Sequence, residues 1–309
     1  MKSSIKLKHP RKKYKFDVLF LISGIALFCY SVFLLWLILW GFSTSLKATL
    51  GTKNLFRFNK VWLPQGAPWE WEWKNYSVVK DYIYVDVTYT DSRVRVGMSG
   101  MLLNSVYYAL GGALVAVIIP TVVAYATSKT KYKFNAVIDV IVLACMAIPI
   151  VGNQPSNIQV LNKLHLFDTM IGFYIQKAHF LTAYYLIMKA AFSSVSYAFS
   201  EAAQIEGAGN YTIMLRIVFP MVSKIFLTLT LMEFIVLWND YTYPLIYLKS
   251  YPTLAYGIFY LVFANGENVI SNPPMRLAGS FILFTPILVL FLIFKDKLMQ
   301  NLSMGGVKE

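Results

Sequence analysis

Six long apolar runs dominate the chain, at about residues 18–42, 101–126, 137–151, 171–192, 221–248 and 277–294. A helix needs about 20 apolar residues to cross the hydrocarbon core of a bilayer, so runs of this length and number are membrane spans before they are anything else. The fifth carries its own polar cluster, the third is interrupted by Asp139, and the fourth by Gln176, Lys177 and His179. Only 14% of the 309 residues are charged, against 57% hydrophobic, which excludes an ordinary soluble domain. The expected fold class is an all-α membrane protein with six transmembrane helices.

The charge is spread unevenly. Lys+Arg number 28 and Asp+Glu 15, for a net charge of +13. Such an excess raises nucleic acid as a partner, but membrane topology accounts for it better. Seven basic residues fall in a leader over residues 1–17, before an apolar run too long for a signal peptide and without a small-residue cleavage pattern. With six spans, both termini lie on one side, and the leader puts that side in the cytoplasm. Inside segments then hold 16 basic residues and outside segments 12, eight of the latter in one long loop over residues 47–97. Cys29 and Cys145 sit in apolar runs and the three histidines are far apart, so neither a disulfide framework nor a metal site is expected.

That outer loop holds four of the seven tryptophans. Trp69, Trp71 and Trp73 alternate as if three indoles shared one face of an extended segment. Residues 82–89 alternate in strand fashion, Thr90, Asp91 and Ser92 can turn, and residues 93–96 can return, which predicts a β-hairpin. An interfacial aromatic belt with a small cap and a docking surface for an extracytoplasmic partner both fit. Prolines at 120, 149, 244 and 286 mark kinks or hinges, and Gly112 with Ala116 offers a close-packing face.

Between the fourth and fifth runs, residues 196–220 predict two short helices joined by a bend. Ser196 caps the first, Glu201 lies near its positive end, and Gly207 lets the chain turn. Here the sequence resembles the permease subunits of ABC importers. Their signature is Glu-Ala-Ala, three residues, Gly, nine residues, then Ile-x-Leu-Pro. It is matched by Glu201, Ala202, Ala203, Gly207, Ile217 and Pro220, with Phe219 in place of Leu and Glu206 where Asp is common. Ser196, Ala198 and Lys224 depart from the pattern around it. Asn104-Ser105, Trp238 to Tyr241 with Pro244-Leu245, and a tail ending Met304-Gly305-Gly306-Val307-Lys308 resemble the maltose-type, carbohydrate-transporting branch.

The resemblance implies a type I importer permease domain over residues 18–298, with a cytoplasmic tail over 299–309. It implies a homologous second permease, two cytoplasmic ATPase subunits and an extracytoplasmic solute-binding protein as partners, in a prokaryotic inner membrane. The chain has no G-x-x-x-x-G-K-[ST] phosphate loop, so it is not expected to be an enzyme or to bind a cofactor. ATP and Mg would sit on the partner ATPases. In the family the segment enters an ATPase cleft, which makes Glu201 the polar anchor, Ala202, Ala203 and Ala208 the packing face, Gly207 the bend, and Glu206 and Pro220 further members.

Glu233 and Asp240 fall seven apart in the fifth run and share a helical face with Asn239, Trp238 and Tyr241 nearby. Carboxylates, amides and aromatic faces together suit sugars, so these five residues are the candidate substrate path. Pairing with the partner permease is an equal alternative. His179 and Gln176 could line the same cavity, and Asp139 is expected to pair with a basic loop residue. A competing class is a secondary transporter coupled to protons or sodium through Glu233 and Asp240. An intramembrane enzyme lacks any Ser/His or His/Glu catalytic spacing.

Overall fold

The computed structural model describes residues 18–47, 64, 66–89, 92–130, 132–148, 152–263 and 272–303. The basic leader, residues 48–63 of the outer loop, Thr90 and Asp91 of the hairpin turn, Pro149, and the end of the tail lie outside these.

The first helix, α1 (Val18–Ser45), is apolar on every side, and its membrane-length part has none of its residues buried in this chain. Such a helix is stable only against lipid or another membrane subunit. It touches the rest through its last turns, where Phe42 meets Phe281 edge to face at 5.6 Å. Helix α2 (Lys74–Tyr82) follows the outer loop. Asn75 ties it to the end of α1 by donating to the carbonyls of Ser45 (2.8 Å) and Lys47 (3.0 Å).

Strands β1 (Tyr84–Tyr89) and β2 (Ser92–Gly97) form the expected antiparallel hairpin, with Asp86 opposite Arg95 and Tyr89 opposite Ser92. Period-two alternation sends Val85 and Val87 into the core and leaves Asp86 and Thr88 outside. Across the ladder Arg95 Nε donates to Asp86 Oδ1 at 3.2 Å, and its guanidinium covers the Tyr84 ring at 3.9 Å. The tryptophan segment departs from expectation. It turns rather than extends: Glu70 N–H donates to the Ala67 carbonyl, and the indole N–H groups of Trp71 and Trp73 donate back to Gly66 and Pro68. Those backward bonds satisfy polar groups that an extended strand without a partner would leave open.

Helix α3 (Met98–Lys129) contains a turn of π-helix at Tyr107–Gly111 and measures about 48 Å, enough to run from the hairpin to the opposite end of the molecule. Next come α4 (Phe134–Ala147), α5 (Gln154–Lys163), α6 (Met170–Lys177) and α7 (Ala183–Ser194). The fourth apolar run is therefore two helices with a non-helical stretch at residues 178–182, where Gln176, Lys177 and His179 cluster. Helix α8 (Ala198–Ile205) leads to α9 (Asn210–Trp238), which carries a second π turn at Ile213–Val218. Then follow α10 (Thr242–Tyr247), α11 (Leu254–Phe263) and α12 (Pro273–Ser303).

Four described helices are long and apolar enough to cross a membrane: α1, α3, α9 and α12. Helix α4 is a shorter apolar helix, and the fourth run is broken. Gly112 faces Phe173 and Leu237 so closely that a Cβ there would meet both, which is how α3 comes against α6 and α9. One core gathers Val85, Val87, Met101, Phe173, Leu237, Trp238 and Leu254 at the hairpin end. A second gathers Val117, Tyr185, Phe192, Ala203, Ile213 and Val222 at the far end, beneath residues 196–220.

Candidate functional site

Residues 196–220 form the helix, bend and helix that the spacing predicts. Ser196 stands one residue before the cap position, which is Tyr197, so it does not cap α8 as expected; its Oγ accepts from Ala198 N–H at 3.3 Å, and Glu201 is exposed near the helix's positive end. The helix stops in a two-bond C-terminal cap. Gly207 N–H donates to the Gln204 carbonyl (3.0 Å), Ala208 N–H donates to that of Ala203 (2.9 Å), and Gly207 adopts φ +83°. Only glycine occupies that left-handed position without a Cβ penalty.

The cap also decides which residues face outward. Ser200 and Ala203 are buried, Ala203 at 6% exposure, and Ala208 packs against the same core. The expected packing face is thus divided: Ala202 is exposed with Glu201 and Glu206, whereas Ala203 and Ala208 seat the helix on its own subunit. Two large apolar side chains project beside the bend instead, Ile205 at 88% and Tyr211 at 83% exposure. Helical spacing held that signal for Ile205, because two residues beyond Ala203 is about 200° around the helix, opposite the buried face. Pro220 directly follows the π turn, in the first turn of the α-helical part that begins at Phe219.

The polar residues of the fifth run divide in a different way. Glu233 is 8% exposed; its Oε1 accepts from Lys177 Nζ at 3.0 Å and its Oε2 from the Tyr184 hydroxyl at 2.7 Å. Asp240 lies in the join between α9, which ends at Trp238, and α10, which starts at Thr242. Its Oδ1 accepts from the N–H groups of Thr242 (2.9 Å) and Tyr243 (3.2 Å), and its Oδ2 from the Tyr108 hydroxyl (2.7 Å). Trp238 is buried and donates its indole N–H to the Leu283 carbonyl at 3.1 Å. Among the five candidates, Asn239 and Tyr241 are the exposed ones, Tyr241 lying flat on Phe259 with ring centroids 4.4 Å apart.

The expected shared helix face stops short of Asp240, because α9 ends at Trp238 and Asp240 lies in the join to α10; the partners of both carboxylates are in this chain. Gln176 joins them, accepting from the Tyr243 hydroxyl at 2.6 Å, while His179 is exposed in the break between α6 and α7. Lys177, Tyr184 and Tyr108 are the members that sequence reasoning did not single out for this site. Lys177 carried a signal, since a lysine inside an apolar run needs a carboxylate nearby; the two tyrosines carried none.

No family model matches the chain. It is similar to the melibiose/raffinose/stachyose import permease protein MelC of Bacillus subtilis, 24% identical over 226 residues that cover 71% of this chain and 80% of the relative. The arabinooligosaccharides transport system permease protein AraQ of the same organism is 24% identical over 213 residues, 66% of this chain and 72% of the relative. The trehalose transport system permease protein SugB of Mycobacterium tuberculosis is 24% identical over 213 residues, 68% and 77%. Among solved structures, a chain of a bacterial ABC transporter for the acidic polysaccharide alginate superposes with a TM-score of 0.70 at 19% identity, covering 93% of this chain and 99% of its own. At that identity the superposition speaks for the fold. The chain is thus similar, over about two thirds of its length, to permease proteins of sugar transport systems, and it shares the fold of a chain of an ABC importer.

Proposed function

We propose that this chain is one of two homologous permeases in an ATP-driven, binding-protein-dependent importer of oligosaccharides, working by alternating access. Two cytoplasmic ABC ATPases would bind ATP and Mg and do the hydrolysis, and an extracytoplasmic solute-binding protein would deliver the cargo. The chain would cross the prokaryotic inner membrane six times, through the permease domain at residues 18–298, with leader and tail in the cytoplasm. No nucleic acid is involved.

The observation that carries this reading is the exposed, glycine-turned helix α8, seated on its own subunit by Ala203 and Ala208 while Glu201, Ala202, Ile205 and Glu206 project. A rigid amphipathic helix pair of this kind is what a cleft in a soluble partner can hold. The sugar cargo rests on the relatives, whose names give raffinose-type, arabino-oligosaccharide and trehalose transport. The cargo path would follow the polar face of α9. There Asn239 and Tyr241 supply an amide and an aromatic face, while Glu233, Trp238 and Asp240 hold that face in shape through the bonds already described. Ion coupling through Glu233 and Asp240 is disfavoured by geometry, because each carboxylate already accepts two or more hydrogen bonds within this chain.

The test is purification of the chain with its partners and reconstitution in liposomes. Retention of an ATPase and a second permease, with ATP-dependent oligosaccharide uptake, is expected. Uptake driven by a proton or sodium gradient through this chain alone would refute the proposal.

A further inference from the structure

At the end of the bundle that carries α8, a second polar group joins three helices. Asp139 lies on α4, and Lys189 on α7 donates to both of its carboxylate oxygens. Sequence reasoning expected a basic loop partner; the structure uses a lysine within a helix. Tyr185, one turn before Lys189 and fully buried, donates its hydroxyl to Asp139 Oδ1 at 2.8 Å, and the Tyr185 hydroxyl oxygen lies 2.9 Å from Thr127 Oγ1 on α3. Two bonds extend the group along the end of α3. Lys129 Nζ donates to the Val195 carbonyl at 2.6 Å, just where α7 runs out toward α8, and Asn135 on α4 donates to the Thr127 carbonyl at 3.0 Å.

What makes this cluster more than packing is how little else holds α4. Val142 is the one residue of α4 buried by this chain among those described, and the outer side of the helix is exposed. The ion pair itself is only partly shielded, with Lys189 at 21% and Asp139 at 34% side-chain exposure. A helix docked by an apolar face slides as its neighbours shift. One docked by a charge pair and a hydroxyl is held in register, because separating the charges leaves an unpaired ion in a poorly hydrated place. Helix α7 is joined to α8 by Val195, Ser196 and Tyr197 alone, so a displacement of α8 reaches α7 first.

We propose that Asp139, Lys189 and Tyr185 form a clasp that makes α4 follow α7 when α8 is moved, and so are positioning residues for coupling. The proposal rests on the reading of α8 as the segment that an ATPase engages. In it, the clasp turns motion of one short helix into motion of a helix pair.

The experiment uses the whole transporter in liposomes and measures oligosaccharide imported per ATP hydrolysed. Asp139→Asn and Lys189→Met are each expected to lower that ratio by about tenfold, within the ordinary range of coupling between sites, while hydrolysis without substrate persists. The exchange Asp139→Lys with Lys189→Asp is expected to recover most of the loss. Tyr185→Phe removes only the hydroxyl and should lower the ratio by a smaller factor, so it carries the test even where a charge variant fails to assemble. A merely structural cluster would change the amount of complex and leave the ratio of the surviving complexes alone. An unchanged ratio in Asp139→Asn, in Lys189→Met or in Tyr185→Phe, or an exchange no better than the single changes, would overturn the clasp. Absence of ATP-dependent uptake by the unmodified complex would count instead against the importer reading.

Discussion

Replacement of Gly207 separates two things the bend could do. At φ +83° a residue with a side chain costs about 1–2 kcal/mol, and asparagine costs less than alanine there because its side chain tolerates the left-handed region. A Cβ at this position meets nothing within 4 Å in the subunit alone, so strain is the whole local cost. Strain ranks stability as Gly, then Asn, then Ala. A cost near 1 kcal/mol moves the melting temperature of a protein this size by about 2 °C. If an ATPase cleft closes on the bend, size also counts, and coupling ranks as Gly, then Ala, then Asn, then Asp. The two orders cross at alanine and asparagine. Melting in detergent reads the first, and transport-coupled ATP hydrolysis in liposomes reads the second. Alanine should melt below asparagine yet transport better, and aspartate should leave the subunit inserted while uncoupling hydrolysis from uptake. A coupling order that follows the melting order would refute close approach at the bend, and normal uptake with Gly207→Asp would refute the coupling role of the segment.

Three further outcomes follow from other parts of the molecule. Asp240→Ala removes the cap of α10 and the acceptor for Tyr108, and should destabilise by roughly 1–3 kcal/mol; a melting curve like that of the unmodified subunit would contradict that reading. Glu233→Gln leaves Lys177 without its counter-charge and should destabilise by about 1–3 kcal/mol, less than for a fully buried pair because Lys177 keeps some exposure. Replacing both partners, Glu233→Leu with Lys177→Met, should recover part of that loss in the same melting assay. In the hairpin, Val87→Ala should cost about 1–3 kcal/mol through the core. The exposed Arg93→Glu should stay within about 0.5 kcal/mol. A fall in stimulation by the solute-binding protein with Arg93→Glu alone would mark the hairpin as a docking surface, and unchanged stimulation would leave it a cap. Point changes are needed because deleting the hairpin removes Val85 and Val87 from the core.

Much of the fold is written in local chemistry. Long apolar runs can be satisfied only as spans, so the positions of α1, α3, α9 and α12 were legible. The hairpin followed from alternation and turn residues, and the bend from one glycine between two short amphipathic stretches. Less legible was continuity within a span. Hydropathy cannot distinguish a straight helix from two half-helices with an irregular join, and both the fourth run and the end of the fifth have such joins. The tryptophan segment misled because its alternation has no partner strand, and the indoles bond backward instead.

Sequence alone determined the helix, bend and helix over residues 196–220 and the inventory of charges within the apolar runs, because local spacing and burial cost act along the chain. Only the tertiary structure decided where those charges go. Glu233 reaches back 56 positions to Lys177, Asp240 reaches 132 positions to Tyr108, and Asp139 meets Lys189 50 positions away. The physical reason is that an ion in a low-dielectric interior takes whatever partner packing brings near, and no local pattern encodes which helix that will be. The same holds for residues 202–211, where the resemblance grouped Ala202, Ala203 and Ala208 as one packing face, and packing turned two of them inward and left Ile205 and Tyr211 in the open.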